Sequence, residues 1–262
     1  MHYDTLLDAI ADPERAEIDA RDIAIVTAHP DDETLAFGVI MRRLKGVHVV
    51  LATDGSPRDM KTQRVLGFAS VEAYRDARHA ELTAALALAG VPGSALTRLE
   101  FPDKEAAHNL AAFAEKLRAF FAANAIRAVL THSYEGGHPD HDAVAAAVAL
   151  ATRGSAIEVV ESPFYRSRNG RYAVQSFTPI EGIPIVENRL TPEEAAHKLA
   201  MVACYPSQAA LLGGYQPRVE RFRPMPAYDF TRPPNDGEID YEKLFFPWTD
   251  WAKATAHAFA AA

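Results

Sequence analysis

A single cysteine, Cys204, stands in a chain of 262 residues. No internal disulfide can form, which suits a reducing compartment. Basic residues are outnumbered, with 27 Lys and Arg against 35 Asp and Glu and a formal net charge of −8. That balance disfavours bulk binding to nucleic-acid phosphates or anionic lipid, both of which need a basic face. No nucleic-acid partner is expected, although a local basic pocket is compatible with the total. No stretch approaches the ~20 apolar residues of a spanning helix. The N-terminal MHYDTLLDAIADPERAE puts acids where a signal peptide needs a basic start and an apolar run. The expectation is a cytoplasmic protein. Gly/Ser linkers, charge blocks, low-complexity tracts and internal repeats are also missing. One domain over 1–262 is therefore expected, with a core at about 21–162 and a C-terminal extension at about 163–262.

What is present is an ordinary globular composition, 48% hydrophobic and 24% charged, in a chain long enough to bury a large α/β core. Short apolar runs alternate with helical patterns, the mark of parallel βα units. Ile23–Ala28 (IAIVTA), Val47–Thr53, Thr97–Phe101, Ala128–Thr131 and Ile157–Glu161 read as strands. Thr34–Leu44, Val71–Ala89 (ended by Gly90), Ala106–Ala123 and Asp142–Thr152 read as helices. The order implies a Rossmann-like, mostly parallel sheet flanked by helices, with right-handed crossovers. Beyond Ser162 the pattern loosens. Helices are expected at Pro192–Ala203 and from Trp248 to the end. Between them, 216–247 carries Pro217, Pro224, Pro226, Pro233 and Pro234 and reads as too proline-rich for regular structure.

Two motifs follow predicted strands. Ala28-His29-Pro30-Asp31-Asp32-Glu33 ends the first, and Gly136-Gly137-His138-Pro139-Asp140-His141 forms a short loop after AVLT. Sites in open α/β sheets form at the carboxyl ends of strands, so two ligand-rich segments are brought to one edge. Imidazole and carboxylate suit zinc and its neighbours, and a catalytic site uses three protein ligands with one position open. His29 and Asp32, three apart in a turn stiffened by Pro30, can converge on one ion, with His141 as third ligand. Asp31 lies between two of these, where a general base belongs.

AHPDDE together with a downstream HPDH resembles the LmbE-like, or PIG-L, superfamily of zinc de-N-acetylases, which act largely on N-acetylglucosamine-containing molecules and have a Rossmann-like fold. The order of elements agrees from about Ile23 to Glu161. Weaker matches lie at Arg78-His79-Ala80-Glu81 and Ser207-Gln208. The resemblance implies His29, Asp32 and His141 as metal ligands and Asp31 as base. It implies His138 as the group that stabilises the tetrahedral intermediate or protonates the leaving amine, and Asp140 as a carboxylate that orients His138 by a hydrogen bond.

Departures from the family concern the substrate. Gly38 is followed by Val39 rather than a second glycine. The second strand runs into Thr53-Asp54-Gly55-Ser56-Pro57 rather than Thr-x-Gly-Glu. Gly136 stands where some members have Tyr, with Tyr134 the nearest substitute. Asp54, Ser56, Arg78 and Tyr134 are candidate substrate contacts, although Arg78 reads rather better as an ion pair with Glu81. The segment Asp54–Phe68 is long for a βα connection and is expected to line or cover the acceptor site. Plainer readings apply elsewhere. Glu33 reads as a helix N-terminal acid, and Cys204 as a small buried apolar residue. His132, His48, His79, His108, His197 and His257 read as structural, and Arg166 and Arg168 as solvated loop charges.

The expected activity is metal-assisted hydrolysis of an N-acetyl or related N-acyl group on an amino-sugar-containing small molecule. The cofactor would be one divalent ion, Zn²⁺ before Fe²⁺ or Co²⁺, and the chain could form a homo-oligomer. Alternatives are a non-haem Fe(II) oxygenase, whose two histidines and one carboxylate match but which usually sits on a β-sandwich, a metal phosphoesterase, which normally needs a second metal, and a non-catalytic sugar-binding module.

Overall fold

The computed structural model describes residues 5–244 and 246–260. In chain order the elements are α1 (Leu6–Ala11), β1 (Ile18–Asp19), β2 (Ile23–Thr27), α2 (Asp32–Phe37), β3 (Leu44–Lys45), β4 (His48–Thr53), α3 (Lys61–Leu66), α4 (Val71–Leu88), β5 (Leu96–Phe101), α5 (Leu110–Ala123), β6 (Ala128–His132) and α6 (Pro139–Thr152). Then come β7 (Glu158–Ser162), β8 (Tyr165–Arg168), β9 (Arg171–Val174), β10 (Val186–Arg189), α7 (Pro192–Val202), α8 (Ala209–Leu212), β11 (Val219–Pro224) and α9 (Trp248–Ala260). The last two residues expected in the C-terminal helix lie outside the described ones.

A seven-stranded sheet runs β10-β11-β7-β6-β2-β4-β5, parallel from β7 to β5, with β11 and β10 added antiparallel. The alternation in the sequence explains its burial. Ala24, Val26, Val50 and Ala52 point to one face, under α5, α6 and α9, while Ile23, Ile25, Val49 and Leu51 point to the other, under α1, α2, α4 and α7. Helix α6 is apolar nearly all round, with Ala143 to Val148 fully buried, as a helix enclosed by its neighbours should be. After β2 the chain builds outward through β4 and β5. It then returns to place β6 on the other side of β2. The gap between the ends of β2 and β6 is thus a topological switch point, where open α/β sheets form their crevice.

Four expectations need correction. The helix expected over Thr34–Leu44 ends at Phe37. A 3₁₀ turn at Ile40–Arg42 follows, and Leu44–Lys45 pairs with Ile18–Asp19. The HPDH loop is the start of α6. His138 is its N-cap and Pro139 its first residue, which is where proline's fixed φ and missing N–H do no harm. Residues 106–109 form a 3₁₀ turn ahead of α5. Finally, the proline-rich segment contains β11, which pairs through Arg223↔Glu161 and Pro224↔Val160. Its prolines fall at the strand's last residue or outside it, Pro217 before and Pro226, Pro233 and Pro234 after, where the ladder does not need their N–H. Among the described residues no helix is long and apolar enough to cross a membrane.

Candidate functional site

The end of β2 is a tight turn. The His29 N–H donates to Asp32 Oδ2 at 2.7 Å, and the Asp32 N–H to the His29 carbonyl at 3.3 Å. Between them Asp31 holds φ 129° and ψ −28°, a conformation that costs a non-glycine residue energy and persists only when its surroundings enforce it. The enforcement is visible. The Asp31 N–H donates to Glu33 Oε2 (3.1 Å), and the Glu33 carboxylate also accepts from the hydroxyls of Thr34 and Tyr205. Glu33 stands in the first turn of α2, as expected of a helix N-terminal acid, and is completely buried there, so it also serves as an internal clamp. From α4, Arg78 donates to the carbonyls of Pro30 and Gly55 and pairs with Asp31 Oδ2 at 3.2 Å. The Arg78–Glu81 pair is not formed. Glu81 instead accepts from the backbone N–H and hydroxyl of Ser207.

The second segment is held as firmly. Asp142 accepts the N–H groups of Glu135 and Gly136 and the Tyr241 hydroxyl. A Cβ on Gly137 would come within 2.0 Å of the Tyr165 carbonyl oxygen, so only glycine fits there. The Asp140 N–H donates to His138 Nδ1 at 3.1 Å, which leaves the neutral ring's proton on Nε2. The Asp140 carboxylate does not orient His138. It accepts the N–H groups of Lys104 and Ala106 and approaches His29 Nε2 at 3.2 Å.

Together the turns place His29 Nδ1 3.3 Å from His141 Nε2 and 3.4 Å from Asp32 Oδ2, with His141 Nε2 3.3 Å from Asp32 Oδ1. A tetrahedral ion with bonds of about 2.0–2.1 Å needs ligand atoms roughly 3.3–3.4 Å apart. The spacing of the two histidine nitrogens is of that order, and each Asp32 oxygen faces one of them, so the cluster can gather round one divalent ion. The other face of His29 meets Asp103 Oδ1 and Asp140 Oδ2, each at 3.2 Å from Nε2. His132 also comes close, 3.4 Å from Asp32 Oδ2, but its Nε2 lone pair accepts the Ala28 N–H at 3.0 Å. Its ring stacks on His141, and with Asp32 and His141 it makes a further group able to gather round an ion, which the sequence reading of His132 as structural did not foresee.

The electrostatics follow from burial. Desolvation pushes the Asp31 carboxyl up to about 8, against the lowering charge of Arg78 and helped by Asp32. Burial likewise opposes charge on His29, yet Asp103, Asp140 and Asp32 raise it well above the usual histidine range. Burial with the charges of His29 and His141 keeps His138 well below that range. His138 is a neutral donor.

These groups share a cavity of about 820 Å³. Of the expected substrate contacts, Arg78 lines it. So do Gly55, Pro57 and Thr62 from the 54–68 segment. Asp54 and Ser56 do not. Asp54 turns to Arg58 (2.6 Å) and to the Asp103 N–H, and the Ser56 hydroxyl donates to the Val71 carbonyl. Tyr134 packs on Trp251, donates to the Arg232 carbonyl and borders a separate cavity of about 250 Å³. Arg166, read as solvated, is buried and donates to the carbonyls of Ser176 and Phe177. Arg168 is exposed as read, and Cys204 is half-buried rather than enclosed. Asp103 went unnoticed in the sequence. The available signal was its place just beyond β5, an acid at the active edge of the sheet.

Residues 24–152 match the family model described as PIG-L: GlcNAc-PI de-N-acetylase. No curated protein matches the sequence. Among solved structures, the zinc-inhibited form of a teicoplanin deacetylase is similar at TM-score 0.62 and 19% identity, covering 79% of this chain and 98% of that one. An A40926 pseudoaglycone deacetylase gives 0.62 and 20%, covering 79% and 97%. The N,N'-diacetylchitobiose deacetylase of Pyrococcus horikoshii gives 0.58 and 17%, covering 86% and 94%. At these identities the likeness establishes the shared α/β fold.

Proposed function

Because the chain belongs to the PIG-L, or LmbE-like, superfamily through residues 24–152, we propose that it is a divalent-metal-dependent hydrolase removing an N-acetyl or related N-acyl group from an amino-sugar-containing small molecule. The observation that carries this reading is the convergence of His29 Nδ1 and His141 Nε2, 3.3 Å apart, each within 3.4 Å of one oxygen of Asp32, with Asp31 and His138 facing the same cavity. Those three residues would hold the ion, Zn²⁺ first and Fe²⁺ or Co²⁺ as ions of similar ligand preference.

When bound, such an ion supplies Lewis acidity, making water a competent nucleophile near neutral pH and polarising an acyl oxygen. The protein's part is as follows. Asp31, fixed by Arg78 and Glu33, takes a proton from the attacking water. His138 presents Nε2–H to the oxygen on which negative charge develops, a donor already aimed by the Asp140 backbone. The proton now on Asp31 then passes to the nitrogen as the C–N bond breaks, giving a carboxylic acid and an amine, and the acid's proton ends on the amine to leave carboxylate and ammonium. Asp103 and Asp140 fix the His29 ring from its far side, as carboxylates commonly do for ligating histidines.

The mostly parallel sheet disfavours the oxygenase alternative, which belongs to a different architecture. A pure sugar-binding module would have no use for a strained, clamped Asp31. The test is a screen of N-acetylated amino sugars, free and conjugated, read out as released primary amine. Release from at least one class, abolished by chelation, is expected. Release from none under Zn²⁺, Fe²⁺ or Co²⁺ would overturn the reading.

A further inference from the structure

The cavity is sharply divided. One end carries His29, Asp31, Asp32, Arg78, His138 and His141, and the remainder is largely apolar. That apolar wall comes from outside residues 24–152. Phe164, Tyr165, Tyr172 and Val174 are supplied by the β8–β9 hairpin and the turn before it, Leu211 and Leu212 by α8. Leu35 and Ala36 on α2, with Pro57 and Tyr74, extend the wall from within the family-matched part.

Three further observations bear on what the wall would hold. At about 820 Å³ the cavity sits at the upper end of the range for drug-sized ligands, so a lone amino sugar at the polar end would leave most of it to water. Leu211, Tyr172 and Val174 are 81%, 62% and 59% exposed. Three large apolar side chains meeting at one opening are not the scattered singles of an ordinary surface. Finally, the wall's side-chain amides and the Tyr215 hydroxyl are engaged with the protein, which leaves the hydroxyls of Tyr165 and Tyr172 as its polar points. The Gln175 amide donates to the Tyr215 hydroxyl (2.9 Å), which itself donates to the Leu35 carbonyl (3.1 Å), and the Gln208 amide donates to the Tyr74 hydroxyl (2.7 Å). A second sugar ring, with a hydroxyl on most of its carbons, would lose more hydration there than these few groups replace. An alkyl or aryl group would only shed water.

We propose that the substrate carries, beside its N-acylated amine, an apolar alkyl or aryl substituent, and that the wall built by 163–175 and 209–215 binds it. This deepens the hydrolase reading and rests on it. The substituent can belong to the acceptor, as an aglycone, or to the acyl chain. Unreactive product analogues distinguish the two in the intact, Zn²⁺-loaded protein by calorimetry. One arm uses alkyl β-glucosaminides from methyl to hexyl, and the other uses straight-chain carboxylates from acetate to hexanoate.

The dissociation constant is expected to fall about fourfold per added methylene in one arm, with an increasingly negative heat-capacity change. The arm that responds identifies the source. Leu211→Asp and Val174→Asp, both at exposed positions where folding is not at stake, should flatten that response. Constants independent of chain length in both arms, or a length dependence untouched by either substitution, would overturn the proposal. Amine release from N-acyl sugars is measured alongside. Length-dependent binding without release removes the hydrolase reading and keeps the apolar subsite, whereas release with flat binding removes the subsite alone.

Discussion

The Asp140 carboxylate lies 3.2 Å from Nε2 of His29, the ring whose Nδ1 faces Asp32 and His141, and it leaves the contact with His138 Nδ1 to its own backbone N–H. One residue therefore steadies both histidines, by different atoms. A side-chain substitution separates the two effects. Asp140→Ala should weaken divalent-ion affinity by ~10–100-fold, the usual worth of an outer carboxylate on a ligating histidine. It should leave the tautomer of His138 unchanged. Competition with a chromophoric chelator measures this, and unchanged affinity with a fall in kcat alone would return Asp140 to the role expected from the sequence.

Asp31 and His138 have separable signatures. Asp31→Asn keeps the ion and should lower kcat by ~10²–10⁴. His138→Ala should cost kcat about 10²–10³ with little change in KM, since its interaction strengthens in the transition state. His138→Gln, which keeps an N–H donor, should recover part of that. Steady-state kinetics at fixed metal loading decides. A rise in KM alone in His138→Ala would make that residue a substrate anchor and not an oxyanion donor.

Much of this was legible in the sequence, for physical reasons. Continuous apolar runs such as IAIVT announce strands buried on both faces, and a ligand-rich motif just past such a run lands at the active edge of the sheet. What was not legible depended on distance. Nothing local says that Arg78 would prefer Asp31, forty-seven residues away, to Glu81 one turn along its own helix. Asp54 and Tyr134 have the right chemistry for substrate contacts but are claimed by Arg58 and by the aromatic group around Trp251. The helix expected to reach Leu44 stops at Phe37. Just beyond it the Val39 and Ile40 N–H groups are taken by Glu220, a carboxylate from β11. Helical periodicity cannot register a cap that arrives from 180 residues downstream.

Glu220 supplies a stability prediction. Lys198 is completely buried and its Nζ sits 2.6 Å from Glu220 Oε1. Lys198→Met would leave a carboxylate buried without its cation, a change that typically costs ~3–5 kcal/mol. Denaturant unfolding of the metal-loaded protein should show a loss of that order. A loss under about 1 kcal/mol would mean that the pair is not coupled as described.

Glu135 predicts a pH dependence away from His29, Asp32 and His141. Its carboxylate accepts the Phe164 N–H, and burial pushes its pKa up to about 8. An acid whose folded pKa is raised contributes stability that is full below its unfolded value near 4.5 and is lost as pH rises towards 8. Glu135→Gln keeps the acceptor and removes the ionisation. Its Tm relative to the parent should therefore improve steadily from pH 5 to pH 8. A difference that stays constant across that window would show that Glu135 is not held protonated in the fold.

The central claim is that one divalent ion held by His29, Asp32 and His141 makes the chain an amide hydrolase. The most direct test adds a divalent ion stepwise to chelated protein while following amine release from an N-acetylated amino-sugar conjugate. Release should rise to a plateau at roughly one ion per chain. His29→Ala, Asp32→Ala and His141→Ala should each stay inactive and unloaded at that ratio. Full turnover in the chelated protein, or undiminished metal content and turnover in all three variants, would contradict it.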